Sequence, residues 1–232
     1  MNPLRALVAS VLAAIAVAGG PAAGQGDIAY QDRFDIAGCR HVSTGRSAYV
    51  VLEPGYQLVL EGGGERLAIT VLASTRDIAG VTTRVVEERQ WERGELREVA
   101  RNFVALCERT GDAHYFGEEV DIYEKGGVVR HDGSWLAGTG GHRAGLLMPG
   151  KPAVGMRYHQ EIAPGVAMDR AEILSVAETC KVPAGTFARC LKVRESSSLE
   201  PGTSALKFHA PGVGLVQDGN LRLVRYGIVN AR

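Results

Sequence analysis

Ile173-Leu-Ser-Val-Ala-Glu-Thr-Cys-Lys-Val182 runs into Pro183-Ala-Gly-Thr186 and returns as Phe187-Ala-Arg-Cys-Leu-Lys-Val-Arg194. The first arm is rich in β-branched residues with polar ones between them, which suits a half-buried strand. Pro183 fixes its own φ and donates no ladder hydrogen bond, so pairing stops there. Gly185 can take the positive φ that a tight return needs. On the second arm Leu191 and Val193 alternate with Lys192 and Arg194, the period of a strand with one wet face. The stretch therefore reads as a β-hairpin. A five-residue loop, Pro183 to Phe187, sets Cys180 opposite Cys190, Glu178 opposite Lys192 and Ala177 opposite Val193. A directly opposed pair can come close enough for a disulfide. A four-residue loop slips the register by one and sets Arg189 across from Cys180 instead.

The same punctuation recurs along the chain. Pro54-Gly55, Gly62-Gly-Gly64, Asp77 to Gly80, Arg93-Gly94, Thr110-Gly-Asp112, Lys125-Gly-Gly127, Pro164-Gly165, Pro201-Gly202 and Asp218-Gly-Asn220 separate short apolar or alternating runs. Among these runs are Tyr56-Gln-Leu-Val-Leu60, Leu67 to Leu72, Thr82 to Glu92, Ala113 to Glu124, Met156 to Ile162 and Leu221 to Tyr226. Glu95 to Cys107 is ambiguous, since Leu96, Val99, Phe103 and Leu106 have helical spacing. Its neighbours on both sides are strand-like, so strand is the reading taken. Closely spaced strands with Gly, Pro and Asp turns predict an all-β fold: one curved antiparallel meander, half-barrel or sandwich-like, with at most one or two short helices. No composition break follows residue 46, so residues 47–232 are read as one β domain behind an irregular segment, 25–46.

The first 24 residues have the marks of an export signal. Arg5 supplies the positive start, Ala6 to Ala18 is small and apolar apart from Ser10, and Ala22-Ala23-Gly24 offers a cleavage site. The run is short for a membrane span, so a periplasmic or secreted protein that is not integral to the membrane is expected. In an oxidising compartment four cysteines imply disulfides, with three possible pairings. Cys180–Cys190 with Cys39–Cys107 is the pairing preferred. No Cys-x-x-Cys pair exists, and no metal or cofactor is expected. With a formal net charge of zero over 232 residues, nucleic acid is a poor partner. At 45% hydrophobic residues the chain can build a sizeable core.

Tyr115-Phe-Gly-Glu118, Gly133-Ser-Trp135, Met148-Pro149, Val182-Pro-Ala-Gly-Thr-Phe187 with Cys190-Leu-Lys192, Leu199-Glu-Pro-Gly202 and Ala210-Pro-Gly-Val-Gly-Leu-Val216 resemble a family of exported bacterial proteins of unassigned function. The resemblance spans about Tyr49 to Tyr226. The Ala-Pro-Gly-Val-Gly-Leu-Val string is similar to one in exported β-domains of the lipoprotein-carrier type. It implies a half-barrel whose curved sheet cups apolar cargo, an analogy of fold and not of function. The family pattern expects a β-branched residue where this chain has Cys180, so a Cys180–Cys190 bridge would be peculiar to it.

Candidate site residues follow from these readings. Trp135, among glycines, is a core plug or the lip of an apolar pocket; Met148, Tyr115 and Tyr158 are further candidates for that pocket. Gly138 to Gly145 lacks the lysine of a phosphate loop and reads as a flap over the mouth. Glu118, Asp121, Glu161 and Asp169 are the alternative, carboxylates for acid–base hydrolysis. Glu118, Glu119, Asp121 and Glu124 lack a calcium-loop spacing and read as a solvated strand edge. His114, His131, His142, His159 and His209 have no paired-ligand spacing. Ser134 lacks a nucleophile elbow. The expectation is a non-enzymatic binder of an apolar small molecule, a lipid or an envelope protein. A carboxylate hydrolase and a structural envelope protein without ligand are the alternatives.

Overall fold

The computed structural model describes residues 29–229; the proposed export signal lies outside them. Fifteen strands form one antiparallel sheet with no helix among the described residues. They are β1 (His41–Val42), β2 (Tyr56–Gly62), β3 (Glu65–Ile78), β4 (Val81–Glu92), β5 (Glu95–Cys107), β6 (Ala113–Glu124), β7 (Gly127–Arg130), β8 (Trp135–Leu136), β9 (Gly145–Met148), β10 (Arg157–His159), β11 (Asp169–Val182), β12 (Gly185–Ser197), β13 (Ala205–Ala210), β14 (Gly214–Asp218) and β15 (Leu221–Ile228). The sheet runs β10-β11-β12-β13-β14-β15-β2-β3-β4-β5-β6-β7, a meander with one long return from β15 to β2. Glu95 to Cys107 is strand, not helix: its helical-looking apolar positions serve a segment with neighbours on both faces.

Bulges bend this sheet. Between β3 and β4 the register jumps from Val71↔Val86 to Thr75↔Arg84. The carbonyls that the bulge frees at Ala73, Leu72 and Ser74 accept hydrogen bonds from the buried Arg84 guanidinium at 2.6, 3.3 and 3.4 Å. Between β5 and β6 the shift falls at Phe116-Gly117. Gly117 has φ 132°, and a Cβ there would lie 2.3 Å from the Trp135 carbonyl oxygen. Only glycine lets β8 approach β6 at that point. The sheet does not close. Where β9 nears β10, the Arg143 N–H donates to Ile162 O at 2.9 Å, and Gln31 pairs with the outer edge of β10 at Tyr158. The stretch Gly138 to Gly145, read above as a flap, is held at both ends by the sheet, since Trp135–Leu136 and Gly145–Met148 pair with β6 as β8 and β9.

The hairpin that decided the fold class is present, with a different register. Pro183-Ala184 is a two-residue turn between Val182 and Gly185. Cys180 therefore faces Phe187, and Glu178 faces Cys190. The two-residue turn in place of a five-residue loop makes that difference; Arg189 at φ 56° is an extra residue on β12 that shifts the register between those two pairs. The Cys180–Cys190 disulfide is not formed: both thiols are buried and free, and Cys190 Sγ donates to Phe187 O at 3.4 Å. Burial, then the neighbouring Cys190, push the Cys180 thiol up to about 12. Glu178 and Lys192 are likewise not opposite each other; Lys192 pairs with Ser175.

Cys39–Cys107 is a disulfide, which fits an oxidising compartment. It anchors the N-terminal segment where β1 replaces β4 as the neighbour of β5, at His41↔Cys107 and Val42↔Leu106. Leu52, Leu60, Phe103, Phe116, Ile173, Leu191 and Leu223 are fully buried, each such side chain stabilising the fold by about 1.5–3 kcal/mol. No helix among the described residues is long and apolar enough to cross a membrane.

Candidate functional site

Inside the curve lies a cavity of about 180 Å³. One part of its wall is apolar: Tyr56, Leu58, Ile69, Val71, Val213 and Leu215 among others. The rest is polar. Register explains the division. Along β4 the inward positions run Val86, Glu88, Gln90, and along β5 they run Val104, Asn102, Glu98. Both sequences turn polar toward the β4–β5 turn. The turns after β12 and β14 lie at the same end of the antiparallel ladder, where Glu195, Lys207 and Asp218 face inward. Glu161 and Asp169 join them. The Ala163–Ala167 bridge folds Pro164-Gly165 into a hairpin, and Asp169 O accepts N–H bonds from Gln160 (2.8 Å) and Glu161 (3.1 Å).

Six carboxylates (Glu88, Glu98, Glu161, Asp169, Glu195, Asp218) thus line the cavity with one lysine, Lys207, and one histidine, His209. Lys207 Nζ sits 2.6 Å from Glu195 and 3.7 Å from Asp218. Gln160 Nε2 donates to Glu195 at 3.0 Å. Despite its burial, Glu195 is held below the usual carboxylate range by Lys207 and Gln160. Asp218 shares that lysine, whereas Glu88, Glu98, Glu161 and Asp169 form no ion pair with it. Burial pushes Glu161 up to about 8, with the nearby Asp169 adding to the effect. It pushes Glu88 and Glu98 to about 7 and Asp169 to about 6. Behind them Glu118, 2% exposed, is raised by burial and then by Glu161, Glu98, Glu88 and Asp169. Glu118 Oε2, Glu161 Oε1 and Trp135 Nε1 are buried outside good hydrogen-bond geometry, yet Trp135 and Glu118 lie close enough to Glu161 to offset part of the effect of its burial.

The sequence-predicted residues sort clearly. Tyr115 and Met148 line the cavity; Tyr115 is fully enclosed and donates its hydroxyl to Asn102 Oδ1. Trp135 is the core plug of the two options, edge-on to Tyr115 at 5.5 Å and behind the cavity wall. Tyr158 is buried at 1% exposure and is not on the wall. Glu118, Glu161 and Asp169 converge. Asp121 does not: by strand alternation it leaves Glu118's face and pairs with Arg101 and His131, each at 2.9 Å. Glu119 pairs with Arg76 on that outer face. Of the histidines, only His209 lines the cavity, and burial lowers it to about 4. His114 is also lowered to about 4 by burial and then by His41, whose Nε2 lies 3.0 Å from its Nδ1. Cys39, His41 and His114 bring ligand atoms within 4.8 Å of one another, but the Cys39 sulfur is spent in the disulfide.

Sequence reasoning missed Glu88, Glu98, Glu195, Lys207, His209 and Asp218. A signal existed: Leu191, Val193 and Glu195 share one parity on β12, as do Val86 and Glu88 on β4, so each charge continues an apolar face. Comparison with family models, curated proteins and solved structures finds no match.

These carboxyls make stability pH-dependent in a stated direction. Groups whose folded pKa lies above the unfolded value keep protons that the unfolded chain releases, so their stabilisation is lost as pH rises through the folded pKa. Glu88, Glu98 and Glu161 begin to do this above the unfolded carboxylate value of 4.5 and finish as pH passes about 7 for the first two and about 8 for Glu161. His114 and His209, lowered, act oppositely but only below about 6.5. Urea unfolding is expected to show stability falling by about 2–3 kcal/mol between pH 6.5 and 8.5. Glu161→Gln should flatten that slope. A flat wild-type profile would contradict the assignment.

Proposed function

We propose that this chain is an exported, periplasmic or secreted protein that holds an apolar small molecule or acyl chain inside its curved sheet. The observation that carries the reading is the cavity itself, a concave space with an apolar wall where a purely structural domain would pack side chains. Its size suits a single ring or a short acyl segment. The Cys39–Cys107 bridge and the signal-like first 24 residues support export. The likeness of the Ala210 to Val216 string to that of lipoprotein-carrier domains agrees with it.

The test is titration of the chain from about Gln25 onward with the neutral dye N-phenyl-1-naphthylamine. Saturable binding is expected, weakened at least about tenfold by Ile69→Trp, which fills the cavity from a half-buried wall position. A folded wild type that binds no dye sinks the proposal.

A second reading, acid–base hydrolysis, has one observation in its favour. Glu161 and Asp169 sit side by side on the cavity wall with proton affinities about two units apart. Turnover of chromogenic glycosides or esters that disappears in Glu161→Gln would establish it, and none by the wild type removes it.

A further inference from the structure

We propose that the occupant of this cavity is an amphiphile with a cationic head, its ammonium or amidine group seated among the carboxylates around Glu161 and its apolar part on the Leu58–Val71–Leu215 wall. This rests on the cavity reading and goes further, by naming the chemistry of the ligand.

Three observations carry it. The first is charge imbalance. Six carboxylates face the cavity, and Lys207 accounts for two of them, Glu195 and Asp218. Glu88, Glu98, Glu161 and Asp169 face it with no lysine or arginine partner among the lining residues. A neutral or anionic apolar cargo needs none of them, and an anion would gain nothing from their ionisation. The second is an unsatisfied acceptor. Glu161 is 3% exposed, lines the cavity, and its Oε1 stands outside good hydrogen-bond geometry, with Trp135 and Glu118 as its near neighbours; Oε2 of Glu118, behind the wall, is in the same condition. A buried polar atom without a partner costs about 1–3 kcal/mol, and a donor head group removes that cost. The third is spacing. Among the described residues, no three acidic groups bring their oxygens within 4.8 Å of one another; the one cluster that compact is Cys39, His41 and His114. The carboxylates stand too far apart to cage a metal ion, which needs oxygens at roughly 2.0–2.6 Å from its centre. They suit an organic cation with several N–H donors and a longer reach.

Proton linkage follows. In the free protein Glu161 faces Glu118 on β6, Trp135 on β8 and Asp169 on β11; Glu118 in turn faces Glu88 on β4 and Glu98 on β5, with Lys207 on β13 and Glu195 on β12 beyond. Burial keeps protons on these acids. A cation displaces those protons, whereas an alkylammonium keeps its own charge well above neutrality. Binding therefore releases protons and strengthens as pH rises from about 6 to 8.

The experiment is calorimetric titration of the mature chain with n-octylamine, n-octanol and octanoate, one tail with three heads. Octylammonium is expected to bind roughly tenfold to hundredfold tighter than octanol, with octanoate weakest. Its heat should vary with the buffer's ionisation enthalpy, marking proton release. Glu161→Gln should erase most of the octylammonium advantage while leaving octanol binding within about twofold. Glu88→Gln, at a half-buried position, gives the same comparison should Glu161→Gln misfold. Equal binding of all three heads, or preference for octanoate, overturns the cationic head and leaves the apolar cavity standing. No binding of any of them, nor of the neutral dye, overturns the cavity reading and this inference with it.

Discussion

A Cys39→Ser/Cys107→Ser double variant should lose about 4 kcal/mol of stability. The bond joins positions 68 residues apart, and in the chain-entropy account a cross-link closing a loop of that size removes about 4 kcal/mol of freedom from the unfolded chain. For a chain of this length that corresponds to roughly 10 °C in Tm. The loss should not be uniform. β1 is two residues long and meets β5 at only two register positions. Without the bond, the segment before β2 should fray first, seen as new proteolytic cuts between residues 30 and 46 while the rest resists. Dithiothreitol should lower the Tm of the wild type and of Cys180→Ala/Cys190→Ala alike, and leave the Cys39→Ser/Cys107→Ser protein unmoved. A reductant-sensitive Tm that survives loss of Cys39 and Cys107 but disappears with Cys180 and Cys190 would mean that the bond lies in the β11–β12 hairpin instead.

That contrast shows how far local pattern reached. Strand identity was legible because it depends on period-2 alternation and glycine punctuation, both local: Ala113 to Glu124 is β6 from end to end. Register was not. The Cys180/Cys190 pairing needs a five-residue loop, and the chain turns in two, Pro183-Ala184; Arg189 at φ 56° then adds a bulge further along β12. Residue type announces neither the loop length nor the bulge, since arginine is not a residue that favours positive φ. The glycines from Gly138 to Gly145 read as a flap, yet Gly145, like Gly117, works the other way. A Cβ at Gly145 would lie 2.1 Å from Gln160 O, so its absence lets β9 approach the segment after β10. Trp135 between glycines was ambiguous for the same reason, because small neighbours serve a tight approach as well as a mobile loop.

The site was legible in fragments. Glu161 and Asp169 were visible because a Pro-Gly turn separates them and folds them together. The wider set draws one group from each of several strands, Glu88 to Asp218, and no local spacing links them. Asp121 shows the limit of reading clusters: Glu118 and Asp121 are close in sequence, yet they lie on opposite faces of β6. Alternation assigns faces only once the inward face is known. Each of these charges ends an apolar face, so the same residue reads as a strand emerging into water or as a buried acid. What separates the two is curvature, and curvature comes from the bulges that the sequence does not display.

Lys207→Met should destabilise the fold by about 3–5 kcal/mol at pH 8, the cost of leaving buried charge unpaired. Methionine keeps the length and the apolar stem, so the change isolates the ammonium. Lys207, Glu195 and Asp218 are 13, 14 and 9% exposed at their side chains, and Gln160 is the other group that donates to Glu195. Acid should narrow the deficit, and the sign follows from the shifts. Glu195 is depressed in the folded protein, so its stabilisation is present above the unfolded carboxylate pKa and is lost as pH falls through its folded value. In the variant, burial and Asp218 act on Glu195 without Lys207, its pKa rises, and the folded state takes up a proton that removes the unpaired charge. Urea unfolding at pH 8, 6.5 and 4.5 should show the wild-type advantage shrinking at each step, and Lys207→Met/Glu195→Gln should recover part of the loss at pH 8. An advantage that stays constant down to pH 4.5 would mean that the lysine acts through packing of its stem, and the ion pair would then no longer explain why one end of the cavity tolerates its carboxylates.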